Sequence, residues 1–171
     1  RAIKAGTLDD APFGEAACEV DLGVSALIPD SFIPDVHTRL VLYKRASEAT
    51  STEDLFELRV EVIDRFGELP EQVDNLFQAA SVRITAQELG LTRVRAGSKN
   101  AVLEFGPKPN LNPRNLIKLI QSQPKVYKLE GQKKLHINAS LDPVDTRASR
   151  LLQLLATLRE PAPSPAEPRS K

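Results

Sequence analysis

Between Ser51 and Gly90 the apolar residues fall at three-to-four spacing in two runs, separated only by Gly67-Glu68-Leu69-Pro70. At 3.6 residues per turn those positions share one face, so the pattern calls for two amphipathic helices joined by a short connection. The first run opens on Ser51-Thr52-Glu53-Asp54. Ser51 is placed to accept from the N3 amide, and Asp54 sets negative charge at the positive end of the helix. Gly67 ends it, since glycine takes a left-handed cap without a Cβ penalty. Leu55, Leu58, Val62 and Phe66 form the ridge expected to face the core. The second run starts at Pro70, passes through Val73, Leu76, Phe77, Ala80, Ile84 and Leu89, and stops at Gly90.

A further helix is expected upstream, starting near Pro34, with Val36, Leu40, Tyr43 and Ala46 as its inward stripe. Pro29 and Pro34 bracket an extended segment before it. Glu19 to Leu22 alternates polar and apolar, which suits a short edge strand. After Gly90 the texture changes. Arg93–Ala96 and Ala101–Phe105 flank Gly97-Ser98-Lys99-Asn100, the signature of a β-hairpin. Asn112-Pro113 is a cap followed by a first-turn proline, opening a short helix through Leu116, Ile117 and Ile120. Val126–Leu129 and Lys134–Ile137 flank Glu130-Gly131-Gln132, a second hairpin. Asp142-Pro143 repeats the cap-plus-proline start for a last helix carrying Leu151, Leu152, Leu154, Leu155 and Leu158. Three helices, hairpin, helix, hairpin, helix is an α+β order, with a small antiparallel sheet expected to be covered on one face. Residues 1–24, broken by Gly6, Pro12 and Gly14, are expected to form a linker. The prolines at 161, 163, 165 and 168 predict a disordered tail over 161–171.

A length of 171 residues suffices for one domain with a real core. No apolar stretch approaches the ~20 residues of a membrane helix. No secretory leader is visible. The first residue is Arg, and Arg1 to Gly6 reads as the end of a helix already in progress, so the sequence is expected to be a piece of a longer chain. Cys18 is the only cysteine, which excludes a disulfide framework and a thiolate-rich metal site within one chain; it is read as an apolar filler.

Catalytic signatures are missing. There is no phosphate-cradling Gly-x-x-x-x-Gly-Lys-Ser/Thr, no Gly-x-Gly-x-x-Gly and no His pair at i,i+4. His37 and His136 fall on separate elements and are both expected at the surface. No serine stands in a nucleophile elbow.

Charge is the remaining signal. Residues 1–90 hold 8 Lys+Arg against 17 Asp+Glu, and the rest hold 15 against 6, although the whole chain is neutral. Asp54, Glu57, Glu61, Asp64 and Glu68 recur at steps of three or four, so they line one ridge beside the apolar one. A solvated face and a docking ridge for a basic partner both fit such a row. In the basic half, Lys125, Lys128, Lys133 and Lys134 cluster around the second hairpin near Tyr127. An exposed aromatic among lysines would suit a nucleic-acid-binding module, tracking phosphates and stacking a base; a core position for Tyr127 fits equally.

Three blocks carry a resemblance. They are Ile28-Pro29-Asp30-Ser31-Phe32-Ile33-Pro34-Asp35, then Tyr43-Lys44-Arg45, then Ile63-Asp64-Arg65-Phe66-Gly67 followed by Leu69-Pro70. Later echoes are Leu89-Gly90, Asn112-Pro113, Gln121 to Pro124 and Tyr127-Lys128-Leu129-Glu130-Gly131. In this order and spacing the chain resembles the C-terminal domain of the bacterial transcription-repair coupling factor from about Glu19 to Leu158, with the domain expected over residues 25–160.

The resemblance implies a non-catalytic regulatory domain within an ATP-dependent DNA translocase of the bacterial cytoplasm. ATP and magnesium would serve the parent motor, and this domain would hold no cofactor. The expected role is autoinhibitory docking onto the UvrB-like N-terminal module of the same parent. Docking would mask the surface that recruits UvrA and restrain the motor until stalled RNA polymerase is engaged. The parent would meet DNA; the domain alone would be a monomer with no membrane contact. The recruiting surface is arginine-rich, so the resemblance points to Glu57, Glu61 and Asp64 as partner contacts, with Arg65 and Phe66 at the edge.

Overall fold

The computed structural model describes residues 18–159. The tail expectation for 161–171, and the linker expectation for the first 17 residues, lie outside them. The elements in chain order are β1 (Glu19–Asp21), α1 (Val36–Glu48), α2 (Thr52–Phe66), α3 (Glu71–Glu88), β2 (Leu91–Ala96), β3 (Ala101–Phe105), α4 (Pro113–Ser122), β4 (Tyr127–Glu130), β5 (Lys134–Ile137) and α5 (Arg147–Arg159), the last preceded by a 3₁₀ turn at Val144–Thr146. The α+β expectation holds, and both hairpins form where the turn residues placed them.

The sheet has the order β1-β2-β3-β5-β4. It is mixed rather than purely antiparallel, because β1 pairs parallel to β2, with Val20 opposite Val94. Parallel neighbours need a long crossover, and α1 to α3 supply it. The domain therefore begins inside the segment expected to be a linker: Cys18 and Leu22 are core residues. Burial pushes the Cys18 thiol up to about 11, in keeping with an apolar filler.

Two hydrophobic clusters share α3. Its Val73, Phe77, Ala80 and Ile84 pack with Leu42 and Ala46 of α1 and Leu55, Leu58 and Val62 of α2. Its Val82 and Ala86, with the following Leu89, join Val94, Leu103, Leu135 and Ile137 of the sheet and Leu151, Leu155 and Leu158 of α5. A helix apolar on two sides is what a central element requires. Gly90, at φ +79°, turns the chain from α3 into β2; a Cβ there would stand 2.9 Å from both Lys108 O and Pro109 Cα, so no other residue fits without displacement.

Three local expectations are corrected. Pro34 does not begin α1: Asp35 is the N-cap, its carboxylate accepting from Thr38 N. The inward stripe of α1 is Leu42 and Ala46 with Tyr43 half-buried, while Val36 and Leu40 are exposed. The helix is rotated by its partners: the Ile28 amide donates to Tyr43 Oη at 2.6 Å, Arg39 Nη1 donates to Ile33 O at 2.6 Å, and Arg83 of α3 donates to the terminal carbonyls Ala46 O and Ala49 O. Asp142-Pro143 does not cap α5 either. The Asp142 carboxylate instead accepts from Arg147 Nη2 at 3.0 Å, while Arg147 Nη1 donates to Leu22 O at 2.6 Å. Arg147, 3% exposed, thereby ties the start of α5 to the strand-side chain entry.

Candidate functional site

α2 is the element on which the acidic row stands. Ser51 Oγ accepts from Asp54 N at 3.1 Å, the expected cap. At the other end Gly67 N donates to Ile63 O at 2.9 Å, and Gly67 takes φ +100° with ψ −165°, a positive-φ turn outside the left-handed helical well. Leu55, Leu58 and Val62 are buried as expected, and Phe66 is half-buried against Phe32, ring centroids 5.9 Å apart. This fixes the roll of the helix, so the carboxylate row faces outward.

The row is not uniform. Asp54 accepts from Thr50 N and Oγ1, both at 3.3 Å, and serves the helix start. Glu61 is held by Arg45 of α1 in a two-pronged pair, Nη1 to Oε2 at 2.7 Å and Nη2 to Oε1 at 3.0 Å, with Arg65 Nη1 at 3.8 Å. The Arg45 hydrogen bond holds the Glu61 carboxyl below its ordinary value. Glu57, Asp64 and Glu68 are exposed and have no hydrogen bond or ion pair among the described residues. Of the five partner-contact candidates, then, Glu57 and Asp64 are open, and Glu61 is already bonded. Arg65 lies at the edge with its guanidinium 4.8 Å from the Phe66 ring centre. Arg59, on the other flank, pairs with Asp74 and lies over Phe77.

Sequence reasoning missed an apolar row on the same helix. Phe56, Val60 and Ile63 are 66%, 41% and 40% exposed. They recur at steps of four and three, like the core ridge, but out of phase with it. Their spacing was visible beside the core ridge, which the sequence placed correctly; what it did not show is that no other described element would cover this second row.

The second hairpin separates the candidate nucleic-acid residues. Tyr127 lies opposite Ile137 and packs half-buried on the core side, where burial raises its pKa. Lys128 and Lys134 point to the other, open face, and Lys125 and Lys133 are exposed in the flanking turns. In register across the open face run Glu19, Arg93, Glu104, Lys134 and Glu130, strictly alternating in sign. Arg93 makes ion pairs to Glu19 at 3.3 Å and Glu104 at 3.7 Å. His136 Nε2 lies 2.6 Å from Glu130 Oε1, a contact that holds the Glu130 carboxyl below its ordinary value. These cross-strand pairs balance much of the charge, and among the described residues the strands present no Phe, Tyr or Trp on this face, its one ring being His136, held by Glu130. The stacking platform that the sequence suggested is not assembled.

No helix among the described residues is long and apolar enough to cross a membrane. Comparison with known proteins places this geometry. The TRCF domain family profile matches residues 22–116. The chain is 40% identical over 164 residues, 94% of its length, to the transcription-repair-coupling factor of Escherichia coli, and 39% identical over 140 residues, 82% of its length, to that of Haemophilus influenzae. It spans only 14% and 12% of those two proteins. A crystal structure of the C-terminal domain of a transcription-repair coupling factor has the same fold, with a TM-score of 0.68 at 22% identity, covering 84% of this chain and 92% of that one. The profile runs from the end of β1 through β3 to the first turn of α4, and the relatives extend the match across nearly the whole sequence; the chain belongs to the TRCF domain family, the C-terminal domain of transcription-repair-coupling factors.

Proposed function

We propose that this domain is a removable clamp inside its parent factor. The open carboxylates of α2, Glu57 and Asp64, dock on an arginine-rich surface of the UvrB-like N-terminal module. Docking covers the surface that recruits UvrA and restrains the ATP-driven motor until stalled RNA polymerase is engaged. The domain itself performs no chemistry in this reading, and ATP and magnesium act elsewhere in the parent. The observation that carries the proposal is the exposed carboxylate row on a helix whose roll is fixed by three buried residues.

The energetics suit a latch. Two surfaces on one polypeptide meet at an effective concentration of roughly millimolar, depending on linker reach. A contact of only micromolar order between separate proteins, still measurable by titration, is then almost fully closed in the intact chain. Opening needs only differential binding by polymerase or DNA, on the order of a few kcal/mol. Charged contacts form specifically and open without a large apolar penalty.

The test is association of this chain with the separately expressed N-terminal module, followed against salt. Glu57→Lys and Asp64→Lys should each weaken it, and in the intact factor should raise basal ATPase and expose UvrA binding. Binding indifferent to both substitutions would remove the proposal.

A further inference from the structure

We infer that α2 docks through two adjacent stripes, one acidic and one apolar, and that its occupant is a basic amphipathic helix rather than a flat patch of arginines. The inference rests on the docking reading above and specifies the partner chemistry of the same helix.

At the ~100° step per residue of an α-helix, the outward arc of α2 runs Ile63, Phe56, Val60, Glu53, Asp64, Glu57. That sector of roughly 120° contains three exposed apolar side chains, then three carboxylates, and no cation. Arg59 and Arg65 fall on opposite sides of it, the first paired with Asp74 and the second folded over Phe66. Single exposed apolar residues are ordinary, but a row along one helix face marks an interaction surface.

The apolar stripe also leads somewhere. Phe56 forms one wall of a cleft of about 260 Å³ between α2, α3 and α5, whose other walls include Leu55, Arg59, Phe77, Ala148 and Leu152. This is below the roughly 300–1,000 Å³ of small-molecule pockets and suits one inserted side chain. Phe56 to Ile63 spans ~10 Å of helix, the reach of two turns of a partner helix. The occupant that satisfies both stripes has apolar side chains at i, i+3/i+4 and i+7 with Arg or Lys along one flank. An acidic partner would be repelled by Glu53, Glu57 and Asp64, and a purely basic one would leave Phe56, Val60 and Ile63 in water.

The experiment measures the dissociation constant of this chain for the N-terminal module at about 50 and about 500 mM salt, on either side of the ~0.1 M at which the Debye length is about 10 Å. Phe56→Ser and Val60→Ser, each at an exposed site, should leave the melting temperature unchanged and weaken binding about tenfold at both salt concentrations. Glu57→Lys should weaken binding mainly at low salt and flatten the salt dependence. If the two serine variants bind as wild type while Glu57→Lys binds weakly, the apolar stripe is not part of the interface: this inference falls and the acidic clamp stands. If neither class of variant changes binding, both fall.

Discussion

Arg45 and Glu61 face each other across the α1–α2 contact in a bidentate pair, 2.7 and 3.0 Å. Arg45 closes one of the blocks that carry the resemblance, and Glu61 stands two residues before another. The pair makes Arg45 an internal competitor for one carboxylate of the α2 acidic row. Tyr43, two residues earlier, is committed to the backbone of the Ile28 segment. The tight sequence pattern around Tyr43-Lys44-Arg45 therefore serves assembly of the helical lobe as well as its surface charge.

Arg45→Ser should tighten binding of the basic module at low salt, by about threefold, since it removes one positive charge and releases Glu61. The same change should lower domain stability by no more than about 1 kcal/mol, because the pair is exposed and screened. Titration calorimetry and a denaturant melt read the two effects separately. Weaker binding in Arg45→Ser would mean that Arg45 presents Glu61 rather than competing for it.

The pH response of this contact has a definite sign. Arg45 lowers the folded-state value of the Glu61 carboxyl, so the stabilisation is fully present above the ordinary carboxylate value and is lost as pH falls through the depressed one. An NMR titration of the Glu61 side chain should show it ionised below pH ~4.5, the ordinary Glu range, and Arg45→Ser should restore an ordinary midpoint. Unaltered titration in the variant would show that the hydrogen bond does not govern the ionisation.

Ser51→Ala removes the cap of α2 and should cost about 1 kcal/mol. Urea denaturation with an unchanged m-value checks it. A loss of only a few tenths would indicate that Thr50 and Asp54, hydrogen-bonded to each other at the same end, carry the helix start instead.

Leu42→Ala and Leu40→Ala separate the two apolar stripes of α1. Leu42 is buried and should cost about 2–5 kcal/mol; Leu40 is exposed and should stay within about 0.5 kcal/mol. Equal losses would mean that α1 is rolled so as to bury Leu40 as well as Leu42.

Asp142→Ala should cost about 1–2 kcal/mol, between an exposed and a buried pair, because it leaves the buried Arg147 cation bonded to the Leu22 carbonyl while Asp142 itself is 54% exposed. Thermal melting of this variant beside Arg147→Met tells the charge from the packing: the methionine variant should be the less damaged of the two.

The amino-acid sequence alone determined whatever depends on neighbours along the chain. Helix spacing in α2 and α3, the Ser51 and Asn112 caps, the turn glycines and the two hairpins are set within about one turn of helix or one loop, and they were legible. The acidic row was legible for the same reason, since residues three and four apart share a face wherever the helix goes. Tertiary structure decided what needs a partner from elsewhere. α1 carries two apolar stripes, and only contact with Ile28, Ile33 and Arg83 selects Leu42 and Ala46 for the core. On α2 the core ridge of Leu55, Leu58 and Val62 was legible, and the tertiary structure decided only that Phe56, Val60 and Ile63 stay uncovered. β1 joins β2 across some seventy residues of intervening chain, and Arg147 reaches Leu22 across 125. No local periodicity encodes such pairings, because their free energy comes from surfaces that meet only once the chain has folded.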